Sequence, residues 1–160
     1  MSKICQGEIL LLVRGGRRRL SNARVSEVTY NSLSPPNAIF AYGTLMQGES
    51  HSSLLEEAGV VSVSPASIAG ELLDLGEYPA LRIRPYTTNR VHGQLIEVNK
   101  LNKVLAHLDT YEGPAFRREI VHVSLDDGRS HFAWVYVLAN DSGDSKVIPS
   151  GRWGRKSAGA

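Results

Sequence analysis

The amino-acid sequence predicts an α+β domain whose curved, mainly antiparallel sheet wraps into a small mixed β-barrel flanked by helices. Short β-type runs outnumber helical patterns, the apolar period turns clearly helical over one long stretch, and a hairpin with a glycine-containing turn lies near the C-terminal end. A doubly wound parallel fold would need strands alternating regularly with crossover helices, and the chain lacks that rhythm.

The first apolar strand is expected at Ala38–Tyr42, immediately after Asn31-Ser32-Leu33-Ser34-Pro35-Pro36-Asn37, a run of turn formers that reads as a linker. A short helix is expected over Ser53–Ala58. There Ser53-Leu54-Leu55-Glu56 has the spacing of a capping box, and Gly59 can close the last turn. Strands follow at Ile68–Leu75, Ala80–Arg84 and Val91–Val98, the last rich in β-branched and apolar residues. The period then changes. Leu101, Val104, Leu105 and Leu108 stand at i, i+3, i+4 and i+7, with Asn99 available as N-cap and Gly113-Pro114 as stop, so one helix is expected over Leu101–Tyr111. Phe116–Leu125 and His131–Ala139 flank Asp126-Asp127-Gly128-Arg129 and read as an antiparallel hairpin. The organisation expected is a basic extension and linker over 1–36, one domain over 37–153 and a frayed tail over 154–160.

Composition narrows the class. With 160 residues, 42% of them hydrophobic and 21% charged, and no apolar run near the roughly 18 residues that cross a bilayer, the chain reads as a soluble globular protein. The single cysteine, Cys5, permits no intramolecular disulfide and points to a reducing, cytoplasmic setting. Net charge is +2, but residues 1–36 hold six basic residues against Glu8 and Glu27, leaving twelve basic and fourteen acidic residues for the remainder. The segment could be an organellar transit peptide. Its Arg14–Arg24 cluster has only Tyr30 beside it as an aromatic platform, so no nucleic acid is expected as a partner; neither is a membrane, and a monomer is the default.

Two segments can carry chemistry. Tyr42-Gly43-Thr44-Leu45 ends an apolar strand and leads toward a helix; Gly43 frees the backbone to take unusual φ values and turn successive N–H groups into a concavity for an anion such as a carboxylate. No Gly-Lys-Ser/Thr follows, so it is not a phosphate-binding P-loop. In Leu108-Asp109-Thr110-Tyr111-Glu112-Gly113, Glu112 faces the negative pole at the C-terminal end of the expected helix, which raises a carboxylate's pKa toward the range of a general base at neutral pH. Asp109, one turn earlier, is the competing candidate. The five histidines show no metal-ligand spacing, so no metal and no cofactor are expected, and the absence of a Gly-x-Ser-x-Gly elbow argues against a serine nucleophile. Arg117 and Arg118, adjacent on a strand, must point to opposite faces.

Tyr42-Gly43-Thr44-Leu45-Met46, Gly70-Glu71-Leu72 followed by Tyr78-Pro79-Ala80-Leu81, Val91-His92-Gly93-Gln94-Leu95, Leu108-Asp109-Thr110-Tyr111-Glu112-Gly113 and Ala133-Trp134-Val135-Tyr136-Val137 occur in that order. Together they resemble the γ-glutamylcyclotransferase-like (AIG2-like) family over about residues 38 to 153. The resemblance implies a small mixed β-barrel and a cofactor-free acyltransferase or lyase reaction. A γ-glutamyl group would be cyclised to 5-oxoproline, and an amine or amino acid released. It also implies that Tyr42, Gly43, Thr44 and Leu45 cradle the glutamyl unit and that Glu112 is the acid/base. Phe116 stands where many relatives carry tyrosine. A non-catalytic module binding a small carboxylate or a γ-glutamyl-type ligand is the alternative that the same residues allow.

Overall fold

Strand β1 (Ala38–Ala41) is apolar at every position because both of its faces are covered. The structure, a computed structural model, describes residues 34–154; the arginine cluster, Cys5 and the tail from 155 onward lie outside the described residues. β1 pairs antiparallel with β4 (Arg90–Val98), setting Ile39 opposite Ile96, and parallel with β6 (Ser130–Leu138), setting Ile39 beside Trp134. β6 forms a hairpin with β5 (Phe116–Leu125), and β5 meets β2 (Val60–Asp74), with Leu125 opposite Ala66. Since β2 also pairs antiparallel with β4, the order β2-β4-β1-β6-β5 returns to β2 and closes a mixed barrel of five strands. Closure leaves those strands without the unpaired edges that invite aggregation.

Alternation sorts the side chains into two cores. Ala38 and Phe40 of β1 point inward with Ile68, Val91, Leu95, Val123, Val135 and Val137 to fill the barrel. Ile39 and Ala41 point outward with Ile96, Val98 and Tyr136, and the helices cover them through Leu55, Leu101, Val104 and Leu108. Past residue 69 β2 leaves the ring, and its last turn of sheet pairs with both β3 (Pro79–Ile83) and β7 (Lys146–Ile148).

Several expectations shift. β2 begins at Val60, eight residues before the expected start, because pairing with β4 carries it through Pro65. Helix α1 is only Ser53–Glu56; Ser52 precedes it and no side chain caps it, so the capping box does not form, while Gly59 with φ +72° does close the segment. The expected helix from Leu101 is divided. A 3₁₀ turn spans Leu101–Lys103, Val104 departs from helical geometry at φ −109°, and α2 covers Leu105–Glu112. Asn99 does not cap it, since the N–H groups of Asn99 and Lys100 are held by the carbonyls of Gly59 and Ala58, 2.9 Å away in each case. The β5–β6 turn forms as expected, with Gly128 at φ +86° and Asp127 accepting the Arg129 N–H at 2.9 Å.

Candidate functional site

The end of β1 and the end of α2 meet at a cleft of about 470 Å³. All five residues singled out in the sequence (Tyr42, Gly43, Thr44, Leu45 and Glu112) line it, although the two segments lie some seventy positions apart. Thr44 Oγ1 and the Tyr111 hydroxyl are 3.0 Å apart and tie the loop to the helix end. The β2–β3 connection supplies a wall through Glu77, Tyr78 and Pro79, and the rings of Tyr78 and Phe116 lie 6.1 Å apart beside it.

The loop's geometry differs from the expectation at Gly43. Its φ is not positive, unlike that of seven other glycines, so conformational freedom is not what the position requires. Space is: a Cβ on Gly43 would stand 2.8 Å from Cγ of Pro79, across the cleft floor. Beyond it the Gly43 carbonyl accepts the Met46 N–H and the Thr44 carbonyl accepts the His51 N–H, each at 3.0 Å, curling the chain back on itself. The N–H groups of Gly43, Thr44 and Leu45 meet no acceptor among the described residues, which leaves a row of donors for an anionic guest. Gly43→Ala is expected to cost about 1–3 kcal/mol as Pro79 or the loop gives way, seen as a lower melting temperature together with weaker substrate turnover.

Tyr42 contributes differently from its neighbours. Its phenol is buried in the barrel, donates to the Tyr136 carbonyl at 2.7 Å and accepts the Leu81 N–H at 3.2 Å. Burial first, and then the Glu112 charge, push its pKa upward, so it stays protonated. That hydroxyl is fully engaged, and the backbone is the part of Tyr42 left for a guest.

Glu112 is the last residue of α2 and half-buried, with no hydrogen bond or ion pair among the described residues. Burial pushes its carboxyl up to about 7. The direction is the one its place on the helix led us to expect, but desolvation is the cause rather than the dipole of a two-turn helix. Asp109 has the opposite surroundings. Its Oδ1 accepts the Tyr136 hydroxyl at 2.7 Å and its Oδ2 lies 3.4 Å from Arg118, whose guanidinium stacks 4.6 Å over Trp134. Asp109 is thus a structural acid on the outer core, and Arg117 points away to pair with Glu119 at 2.6 Å.

Sequence reasoning missed Ser50, His51 and Tyr111. Tyr111 had a signal, adjacency to Glu112 on the helix; His51 had none, because the turn that swings it back to Thr44 has no local signature. Among the described residues no metal-ligand set of His, Cys, Asp or Glu assembles, and no helix is long and apolar enough to cross a membrane.

The family model described as gamma-glutamyl cyclotransferase, AIG2-like, matches residues 39–155. The gamma-L-glutamyl-butirosin B gamma-glutamyl cyclotransferase of Niallia circulans is 35% identical over 112 residues, 66% of this chain and 69% of that protein. Among solved structures, an AIG2-like protein of Mus musculus aligns at TM-score 0.62 and 23% identity, over 76% of this chain and 90% of its own. YkqA of Bacillus subtilis aligns at TM-score 0.58 and 24% identity over 73% of this chain, which spans only 39% of that larger protein. Both structures share the fold.

Proposed function

The chain belongs to the gamma-glutamyl cyclotransferase, AIG2-like family and is an enzyme of that type; from this premise we propose that it converts a γ-glutamyl amide to 5-oxoproline, with Glu112 as proton carrier. One observation carries the proposal: the carboxylate most raised in pKa among the described residues lies in the same cleft as a loop of free N–H donors. In the reaction the backbone N–H groups of Gly43, Thr44 and Leu45 hold the glutamyl α-carboxylate and polarise the γ-carbonyl. An aligned donor at a developing oxyanion is worth about 3–4 kcal/mol. Glu112 accepts a proton from the α-ammonium, the freed amine attacks the γ-carbon of the same glutamyl unit, and the proton passes on to the departing nitrogen. No external nucleophile is involved. Folding the glutamyl chain so that its ends meet draws on the roughly 7–11 kcal/mol that orientation can supply.

The raised pKa suits this work. A carboxyl near 7 is a stronger base than an ordinary glutamate, yet still ionised enough at neutral pH to accept a proton. Since the ionised form is the active one, kcat/KM is expected to rise with pH through about 7 and then level, rather than being flat above pH 5 as with an unshifted glutamate. A pH–rate profile on one γ-glutamyl amide checks it.

The test of function is a mass-spectrometric assay for 5-oxoproline over γ-glutamyl amino acids, γ-glutamylamines and glutathione. Release of 5-oxoproline with an equimolar amine from at least one class is expected; saturable binding with no product from any of them would restore the non-catalytic alternative.

A further inference from the structure

Cyclisation moves two protons, not one. The α-nitrogen enters as an ammonium and leaves as a lactam N–H, while the departing amide nitrogen ends as an ammonium. Glu112 can hold only one of these at a time. The cleft contains a second proton-carrying side chain, His51, to which nothing so far has given a role.

His51 is fixed by three contacts. Its backbone N–H donates to the Thr44 carbonyl at 3.0 Å, its ring lies 4.6 Å from that of Tyr111, and its Nδ1 is 2.8 Å from the Ser50 hydroxyl. With Nδ1 engaged by Ser50, Nε2 is the nitrogen left to exchange a proton. Depth in the cleft assigns the side of the substrate it meets. Tyr42 and Gly43 are buried at the floor, Glu112 is half-buried, and Tyr111 and Tyr78 at the rim are 37% and 44% exposed. A glutamyl unit seated on the loop therefore projects its leaving group past His51 and Tyr111 toward solvent. The residues lining the cleft include two carboxylates, Glu77 and Glu112, and neither Lys nor Arg, surroundings that favour an imidazolium.

Resting on the cyclotransferase reading, we infer that His51 is a second catalytic residue, the general acid that protonates the leaving nitrogen. Glu112 first takes one proton from the α-ammonium, and the amine then forms the new C–N bond. His51 Nε2 gives its proton to the amide nitrogen as the old C–N bond breaks and the carbonyl re-forms, then recovers the second proton from the ring nitrogen. Glu112 finally passes its proton to the released amine. Both residues return to their starting states, and the charge balances, with one ammonium consumed and one produced. Ser50 keeps the ring turned for this exchange.

The experiment compares two amides whose leaving groups differ in their need for a proton. γ-Glutamyl-n-butylamine has a strongly basic leaving amine that cannot depart unprotonated, and γ-glutamyl-p-nitroanilide has one that can. For His51→Gln, 5-oxoproline formation from the butylamide is expected to fall about 10²–10⁴-fold, the usual contribution of a general acid, and that from the anilide less than tenfold. Ser50→Ala should show the same asymmetry at smaller size. Glu112→Gln should lose both substrates, since it disables the nucleophile rather than the leaving group. Retained anilide turnover doubles as proof that the His51 variant is folded and binds. Equal losses on both amides, or none, would overturn the role of His51 while leaving the cyclotransferase reading intact. A wild-type enzyme that releases 5-oxoproline from neither would overturn that reading and the role with it.

Discussion

Glu112→Gln is expected to lower 5-oxoproline formation about 10²–10⁴-fold, the range in which a positioned acid/base acts, while leaving the melting temperature no lower than that of the wild type. The two halves of this expectation have one cause. Burial without a partner is what raises the carboxyl to about 7, and the same burial makes the ionised form a cost to the fold. Because the folded-state pKa lies above the model value of 4.5, the stabilising effect of the bound proton is complete at acidic pH and is lost as pH climbs through about 7. Glutamine has no such proton to lose. Above pH 7 the variant should therefore melt higher than the wild type, and at pH 5 the gap should narrow. Measuring both melting curves beside the kinetics separates a sacrificed functional group from a damaged fold; an inactive variant that also melts several degrees lower at pH 8 would argue that Glu112 is structural.

Leu108→Ala is expected to destabilise the domain by about 2–5 kcal/mol, the range for deleting a buried leucine side chain. Leu108 is 0% exposed and anchors α2 onto the outer core beside Leu101, Val104 and Tyr136. It also lies one turn before Glu112, so the cavity it leaves loosens the element that aims the carboxylate. Denaturant unfolding should show a lower midpoint with an unchanged slope, and kcat should fall more than KM rises, because Glu112 loses its aim before the loop loses its donors. Asp109→Ala should cost less, since the Tyr136 hydroxyl and Arg118 that it leaves behind can reach water near the surface.

Much of this was legible in the sequence, for reasons that can be stated. The strands whose apolar residues alternate cleanly, β4, β5 and β6, were found within a residue or two, because period two is a local property. The first half of β2 was not, since Pro65 and the serines at 62 and 64 interrupt the apolar run and only the partner β4 reveals a strand there. β7 is three residues long and defined by pairing with the end of β2, some seventy positions away. The division at Val104 is likewise a tertiary effect. The stripe of Leu101, Val104 and Leu108 remains buried whether the first turn is 3₁₀ or α, so periodicity is blind to the choice.

The site divides in the same way. Glu112 could be picked out because a carboxylate at a helix C-terminus runs against local electrostatics, and violations of that kind concentrate at functional positions. Gly43 was recognised as a residue needing to be glycine, but for the wrong physical reason, because the proximity of Pro79 depends on β3 folding back against β1. His51 could not be seen at all without the turn that carries it back to Thr44.

The central claim is that the γ-glutamyl carbonyl is attacked by the α-amine of the same molecule. Turnover in ¹⁸O-labelled water tests it directly. Intramolecular attack yields 5-oxoproline with no incorporated label and an equimolar amine. Glutamate carrying ¹⁸O in its γ-carboxylate as the first product would mean that water is the nucleophile and that the enzyme is an amidohydrolase.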